Sequence, residues 1–113
     1  DNTFDILSLH LPLTKSTKCI INDKIIRKLK QNVLIINTAR ADLVEKDAIL
    51  SHLHQKNKMG YYSDVLWEEP INENEQIVTL ENAVITPHIG SRTYQSVERQ
   101  GSAAVNNLIE LLG

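Results

Sequence analysis

His10, Arg40, Asp64, Glu69 and His88 are the side chains of this 113-residue sequence that together could move a proton beside an anionic ligand. Arginine grips a carboxylate in a fork, and a carboxylate next to a histidine favours the charged ring, so an Arg, Glu and His set suits an anionic substrate and an acid–base step. Their spacing supports the same reading, because each lies at or just past an apolar run. His10-Leu11-Pro12 ends the run from Phe4, Asn37-Thr38-Ala39-Arg40 closes Val33-Leu34-Ile35-Ile36, Asp64 lies in the run from Tyr61, and Pro87-His88 follows Ala83 to Thr86. Glu68-Glu69-Pro70 hangs in the loop beyond the third run and could reach the same place.

Each residue also has a plainer reading. A single His after a strand is more often a cap or a solvated side chain, which applies to His10 and to His88 taken alone. Arg40 could pair with Asp42 or Glu45 on the surface, leaving Glu68 and Glu69 in a solvated loop. Convergence on one edge is what favours a site. His52 and His54 are two apart on a helical segment, point to different faces, and are expected in solvent without forming a metal pair. Cys19 reads as a small buried or half-buried hydrophobe, and Trp67 as packing for its loop. Neither G-x-G-x-x-G nor G-x-x-x-x-G-K-[ST] occurs, so no phosphate cradle can be assigned, and no metal site is expected.

The elements that must position these residues follow from periodicity. Phe4 to Leu11 alternates apolar and polar residues up to Pro12, a first strand. Thr14 suits a short turn, and Asn22 can cap a helix carrying Ile25, Ile26 and Leu29. Val33 to Asn37 is an apolar, β-branched run of the kind covered on both faces. Glu45 to about Lys56 reads as a helix with Ala48, Ile49 and Leu53 inward, terminated by Gly60. Tyr61 to Leu66 is a third strand, Trp67 to Gln76 an acidic loop, and Ala83 to Thr86 a fourth strand. A final helix begins near Thr93, with Tyr94, Val97, Gly101, Ala104, Val105, Leu108 and Leu112 on one stripe. Alternation of this kind predicts an α/β fold: a parallel sheet with flanking helices and right-handed crossovers. Ligands then bind beyond the carboxyl ends of the strands, where all the candidate residues fall.

Composition excludes several classes. At 42% hydrophobic and 23% charged, with four Gly and three Pro, the chain should pack a core within one domain. A net charge of -2 gives no footprint for nucleic acid or an anionic membrane, and the longest aliphatic run is far short of the roughly 20 residues a spanning helix needs. One cysteine permits no intrachain disulfide and points to the cytoplasm. The chain opens Asp1-Asn2-Thr3-Phe4 with no initiator Met and reads as a fragment.

Four segments in order, Ser8-Leu9-His10-Leu11-Pro12-Leu13-Thr14, Leu34-Ile35-Ile36-Asn37-Thr38-Ala39-Arg40, Gly60 through Asp64-Val65 to Glu68-Glu69-Pro70, and Thr86-Pro87-His88-Ile89-Gly90, carry a family resemblance. The sequence resembles the D-isomer-specific 2-hydroxyacid dehydrogenases, a family that includes phosphoglycerate, glycerate, formate and D-lactate dehydrogenases. The resemblance implies that Arg40 holds the carboxylate of a 2-oxo acid and polarises its carbonyl, that His88 is the acid/base, and that Glu69 pairs with His88 and keeps it protonated. It further implies an NAD cofactor, with NADP left open, flanked by His10 and Pro12 and contacted by Thr38, Ala39 and Arg40. Asp64 would hold the carboxamide, and His88, Gly90 and Ser91 would approach the same ring. A small 2-hydroxy or 2-oxo acid is the implied partner, together with a second copy of the chain in a homodimer. Residues 1–113 would be the C-terminal half of a Rossmann-type NAD-binding domain, with the Gly-rich half and the substrate domain upstream. Such a piece alone is expected to be inactive and to expose a sheet edge. Ala41 stands where the family usually has Gly, and would be strained if that position needs a positive φ. An NAD(H)-sensing, corepressor-like binding protein of the same fold is the alternative function, and a free-standing half-domain a third reading.

Overall fold

Four short, mostly apolar runs form one parallel sheet in the computed structural model, which describes residues 3–55 and 58–113. The strands are β1 (Ile6–Leu9), β2 (Leu34–Asn37), β3 (Gly60–Ser63) and β4 (Ala83–Ile85), and they lie side by side in chain order. The helices are α1 (Asp23–Ile26), α2 (Lys46–Gln55) and α3 (Tyr94–Leu112), with 3-10 turns at Ala41–Leu43 and Gln76–Thr79. The α/β class expected from the sequence is the one observed.

Register decides which side chains build the core. Leu7, Ile35, Tyr61 and Ala83 lie in one row across the sheet, and Leu9, Asn37, Ser63 and Ile85 in the next row on the same face. That face is buried with Leu43, Ile49, Leu53 and Met59. The alternate row, Ser8, Ile36, Tyr62 and Val84, lies on the other face, where Tyr62 and Val84 are 43% and 50% exposed. The apolar run in β2 therefore has one sealed face and one half-buried face, not two covered ones. α3 accounts for this: its N-cap is Thr93, whose Oγ1 accepts from Ser96 N, but it buries no residue. The stripe from Tyr94 to Leu112 is real as a pattern and unpacked in the structure.

The caps follow local chemistry. Asn22 Oδ1 accepts the Ile25 N–H at 3.2 Å, satisfying a donor that the first turn leaves unpaired. In α2, Ala48, Ile49 and Leu53 are buried as their spacing requires, while Lys56 falls outside the described residues. Gly60 is not a helix terminator but the first residue of β3, where a Cβ would meet Leu34 Cδ1 at 3.0 Å.

His52 departs from its expected place in solvent. It is buried, and its Nε2 donates to Asp23 Oδ1 at 2.8 Å, tying α2 to α1, while His54 is exposed. Sequence spacing placed the two rings on different faces but could not show that Asp23, 29 residues away, offers one of them an acceptor. His52 Nδ1 has no partner among the described residues, so Asp23 is the ring's one polar anchor there. Asp23→Ala is expected to lower the unfolding temperature of the intact protein more than Arg27→Ala, since only the first leaves a buried ring with both nitrogens unpaired. Calorimetry on both variants checks this.

Candidate active site

The carboxyl ends of β2, β3 and β4 set the candidate residues on one rim. β2 ends in Asn37, fully buried although it closes an apolar run. Its Oδ1 accepts from Ala39 N at 3.1 Å and its Nδ2 donates to the Arg40 carbonyl at 2.9 Å, so one side chain folds the Thr38-Ala39-Arg40 turn back on the strand. Arg40 pairs with neither Asp42 nor Glu45; its guanidinium donates to the Ala39 carbonyl at 2.7 Å. Ala41 starts a 3-10 turn and is not among the positive-φ residues, so the strain anticipated there is absent.

β3 is followed by Asp64, just past its last residue, Ser63. Ser63 Oγ donates to the Val65 carbonyl at 2.7 Å and also lies 3.0 Å from the Asn37 carbonyl, joining the base of the second loop to the end of β2. Trp67 packs as expected, stacked on Tyr61 with centroids 6.4 Å apart and its Nε1 donating to the Val44 carbonyl. This fixes the start of the loop that carries Glu69. Glu69 Oε1 accepts from Leu66 N at 3.1 Å, and Oε2 lies 2.9 Å from His88 Nδ1. Those bonds, to His88 first and to Leu66 N–H second, hold the Glu69 carboxyl below its ordinary value. An ionised Glu69 can only accept, so Nδ1 carries the proton and Nε2 is the nitrogen left for a ligand.

His88 itself has φ 55°, a left-handed conformation uncommon outside glycine. Asp64 holds it there. Its Oδ1 accepts from Thr86 Oγ1 and from Ile89 N at 3.0 Å, and its Oδ2 from Gly90 N at 2.8 Å, so the loop is gripped on both sides of the histidine. Desolvation raises the Asp64 carboxyl, but the Thr86 hydroxyl, the two backbone N–H groups and the nearby His88 together hold it below its ordinary value. A Cβ at Gly90 would come within 3.0 Å of Asp64 Oδ2, which explains the glycine by close approach.

Arg40, Glu69 and His88 line a single cavity of ≈ 270 Å³, together with Leu13, Leu66 and Trp67. His10, Pro12, Thr38 and Ala39 share a neighbouring cleft of ≈ 520 Å³ that also reaches Arg40. His10 Nε2 lies 2.7 Å from Ser8 Oγ. Sequence reasoning had assigned no task to Asn37, Ser63 or Thr86. The signal for Asn37 was present, as an amide in a position where burial demands that every polar atom be paired. Asn37→Asp keeps the acceptor for Ala39 N and removes the donor to Arg40; kcat/KM for the anionic substrate is expected to fall about tenfold or more. Steady-state kinetics on the intact protein measures it.

A parallel sheet with an Arg, an ionised Glu and a His gathered beyond its strand ends, beside a second cleft, has the layout in which open α/β sheets hold ligands. The chain belongs to the D-isomer-specific 2-hydroxyacid dehydrogenase family, whose NAD-binding domain matches residues 2–90. It is 38% identical to the glyoxylate reductase of Thermofilum pendens over 96% of this chain and 32% of that protein. Among solved structures, it is similar to the TT0316 protein from Thermus thermophilus, with a TM-score of 0.91 and 37% identity over 98% of this chain and 35% of that one. It also superposes on D-lactate dehydrogenase with NAD+ from Lactobacillus jensenii, with a TM-score of 0.89 and 26% identity over 97% of this chain and 37% of that one. The chain thus spans about a third of the length of the relatives it matches. Among the described residues, no helix is long and apolar enough to cross a membrane.

Proposed function

We propose that the intact protein interconverts a D-2-hydroxy acid and its 2-oxo acid by hydride transfer, and that this chain is the C-terminal half of its NAD-binding domain. The observation that carries this reading is the one cavity lined by Arg40, Glu69 and His88, with the Glu69–His88 bond already formed at 2.9 Å. The residues of the neighbouring cleft fit the cofactor's nicotinamide half. Pro12 and Ala39 give apolar walls and Thr38 a hydroxyl; Asp64, outside that lining, has accepted only one hydrogen bond at Oδ2 and retains capacity for a second. Bound NAD supplies the hydride acceptor, or as NADH the donor.

This chain's residues do the rest. Arg40 binds the substrate carboxylate and draws electron density from the adjacent carbonyl. His88 Nε2 gives a proton to the carbonyl oxygen in reduction and takes it back from the hydroxyl in oxidation, while Glu69 fixes the ring through Nδ1. Leu13, Leu66 and Trp67 restrict water beside the reacting carbonyl. The test is NADH oxidation by the intact protein with glyoxylate, hydroxypyruvate and pyruvate, and NAD reduction with the two enantiomers of lactate. Reduction of at least one acid, with D-lactate or another D-hydroxy acid preferred over its mirror image, supports the reading; turnover confined to L-hydroxy acids sinks it.

A further inference from the structure

His88 has a cavity on each side. The first is the site above, with Arg40 as its cation. The second, of ≈ 450 Å³, shares the wall made by Leu66, Glu69 and His88 and is completed by Thr86, Ser91 and Arg92. Arg92 is held by its backbone, whose N–H donates to the Ile89 carbonyl at 2.9 Å, and its guanidinium has no ion pair or hydrogen bond among the described residues. Glu69 lines the same cavity, but its carboxylate bonds Leu66 N–H and His88 Nδ1 and makes no ion pair with Arg92. Each of the two cavities thus presents an arginine beside the same histidine, and the guanidinium of the second has no acceptor among the described residues.

We infer that Arg92, with the Ser91 hydroxyl beside it, forms a subsite for a second anionic group, so that the preferred substrate is a 2-oxo acid charged at both ends. This rests on the hydride-transfer reading of the site and adds the class of acid. A ligand laid across the shared wall places its carboxylate on Arg40, its carbonyl at His88 Nε2, and a carboxylate, sulfonate or phosphate beyond C3 against Arg92. Arginine suits this role because its fork matches all three groups. Exposure of the guanidinium weakens the contact through solvent screening, so it discriminates between acids and does not bind one unaided.

The discriminating pair is oxaloacetate and 2-oxobutanoate, four-carbon 2-oxo acids that differ in a terminal carboxylate against a methyl group. In the intact protein, kcat/KM is expected to favour oxaloacetate, and Arg92→Gln is expected to lower the ratio of the two values about tenfold, with Arg92→Lys in between. Rising salt should lower the wild-type ratio and leave that of Arg92→Gln flat. An equal ratio in wild type and Arg92→Gln overturns the subsite. Calorimetric binding of both acids to the NADH complex separates the two claims. No turnover, with a binding preference for oxaloacetate that Arg92→Gln abolishes, would sink the hydride-transfer reading and keep the subsite; equal binding in both proteins removes the subsite whatever the turnover.

Discussion

Replacing His88 with Asn is expected to lower kcat for 2-oxo acid reduction by about 10²–10⁴-fold, the range that a positioned general acid contributes. The geometry makes this loss specific. Glu69 occupies Nδ1 and leaves Nε2 as the ring's free nitrogen, so on the proposed reading the ring can pass a proton to a carbonyl from the cavity wall. Asparagine at φ 55° is among the best tolerated replacements for a left-handed residue, so the loop gripped by Asp64 should persist and NADH affinity should change little. The pH dependence follows from the same pair. Reduction needs Nε2–H and oxidation needs Nε2 bare, so the two directions have opposite limbs. Glu69, held below its ordinary carboxylate value by His88, contributes stability that is fully present above that ordinary value and is lost only as pH falls through the lowered one. The clasp is therefore intact throughout the neutral range, and Glu69→Gln, which removes the charge, should remove that acid-side loss of stability.

Arg40→Ala is the second large effect. On the proposed reading it deletes a bidentate, charge-assisted grip on the substrate whose two hydrogen bonds are each worth about 1.5–3 kcal/mol, so kcat/KM should fall by about 10²–10⁴-fold. Binding of the acid and polarisation of its carbonyl are separate contributions. The first raises KM and the second lowers kcat, so Arg40→Ala should do both, whereas Arg40→Lys, which keeps charge without the fork, should recover part of kcat and little of KM. A change in KM alone would mean that Arg40 binds the substrate without assisting the chemistry.

Periodicity placed every strand, the Asn22 cap of α1 and the start of α3 near Thr93, because alternation and cap chemistry are local. It also located the rim, since in a parallel sheet the residue after each strand is at the functional edge. It overran the strand ends: β1 stops at Leu9, and Gly60 belongs to β3. Long-range partners were not legible. His52 meets Asp23, Asn37 folds back to Arg40, and Asp64 bonds Thr86, Ile89 and Gly90, contacts that depend on tertiary register and not on spacing. The stripe on α3 was read correctly as amphipathic, but periodicity states only that a face is apolar, not what covers it.

The central claim is that one rim binds a 2-oxo acid through Arg40 and moves its proton through His88. The most direct measurement is NADH oxidation against a panel of 2-oxo acids, run beside NADH binding, for the intact wild type, His88→Asn and Arg40→Ala. Wild type is expected to turn over at least one acid, with turnover lost in both variants while NADH still binds. Undiminished turnover in either variant, or NADH binding with no acid reduced by wild type, would contradict it, and the second result would put a dinucleotide-sensing role ahead.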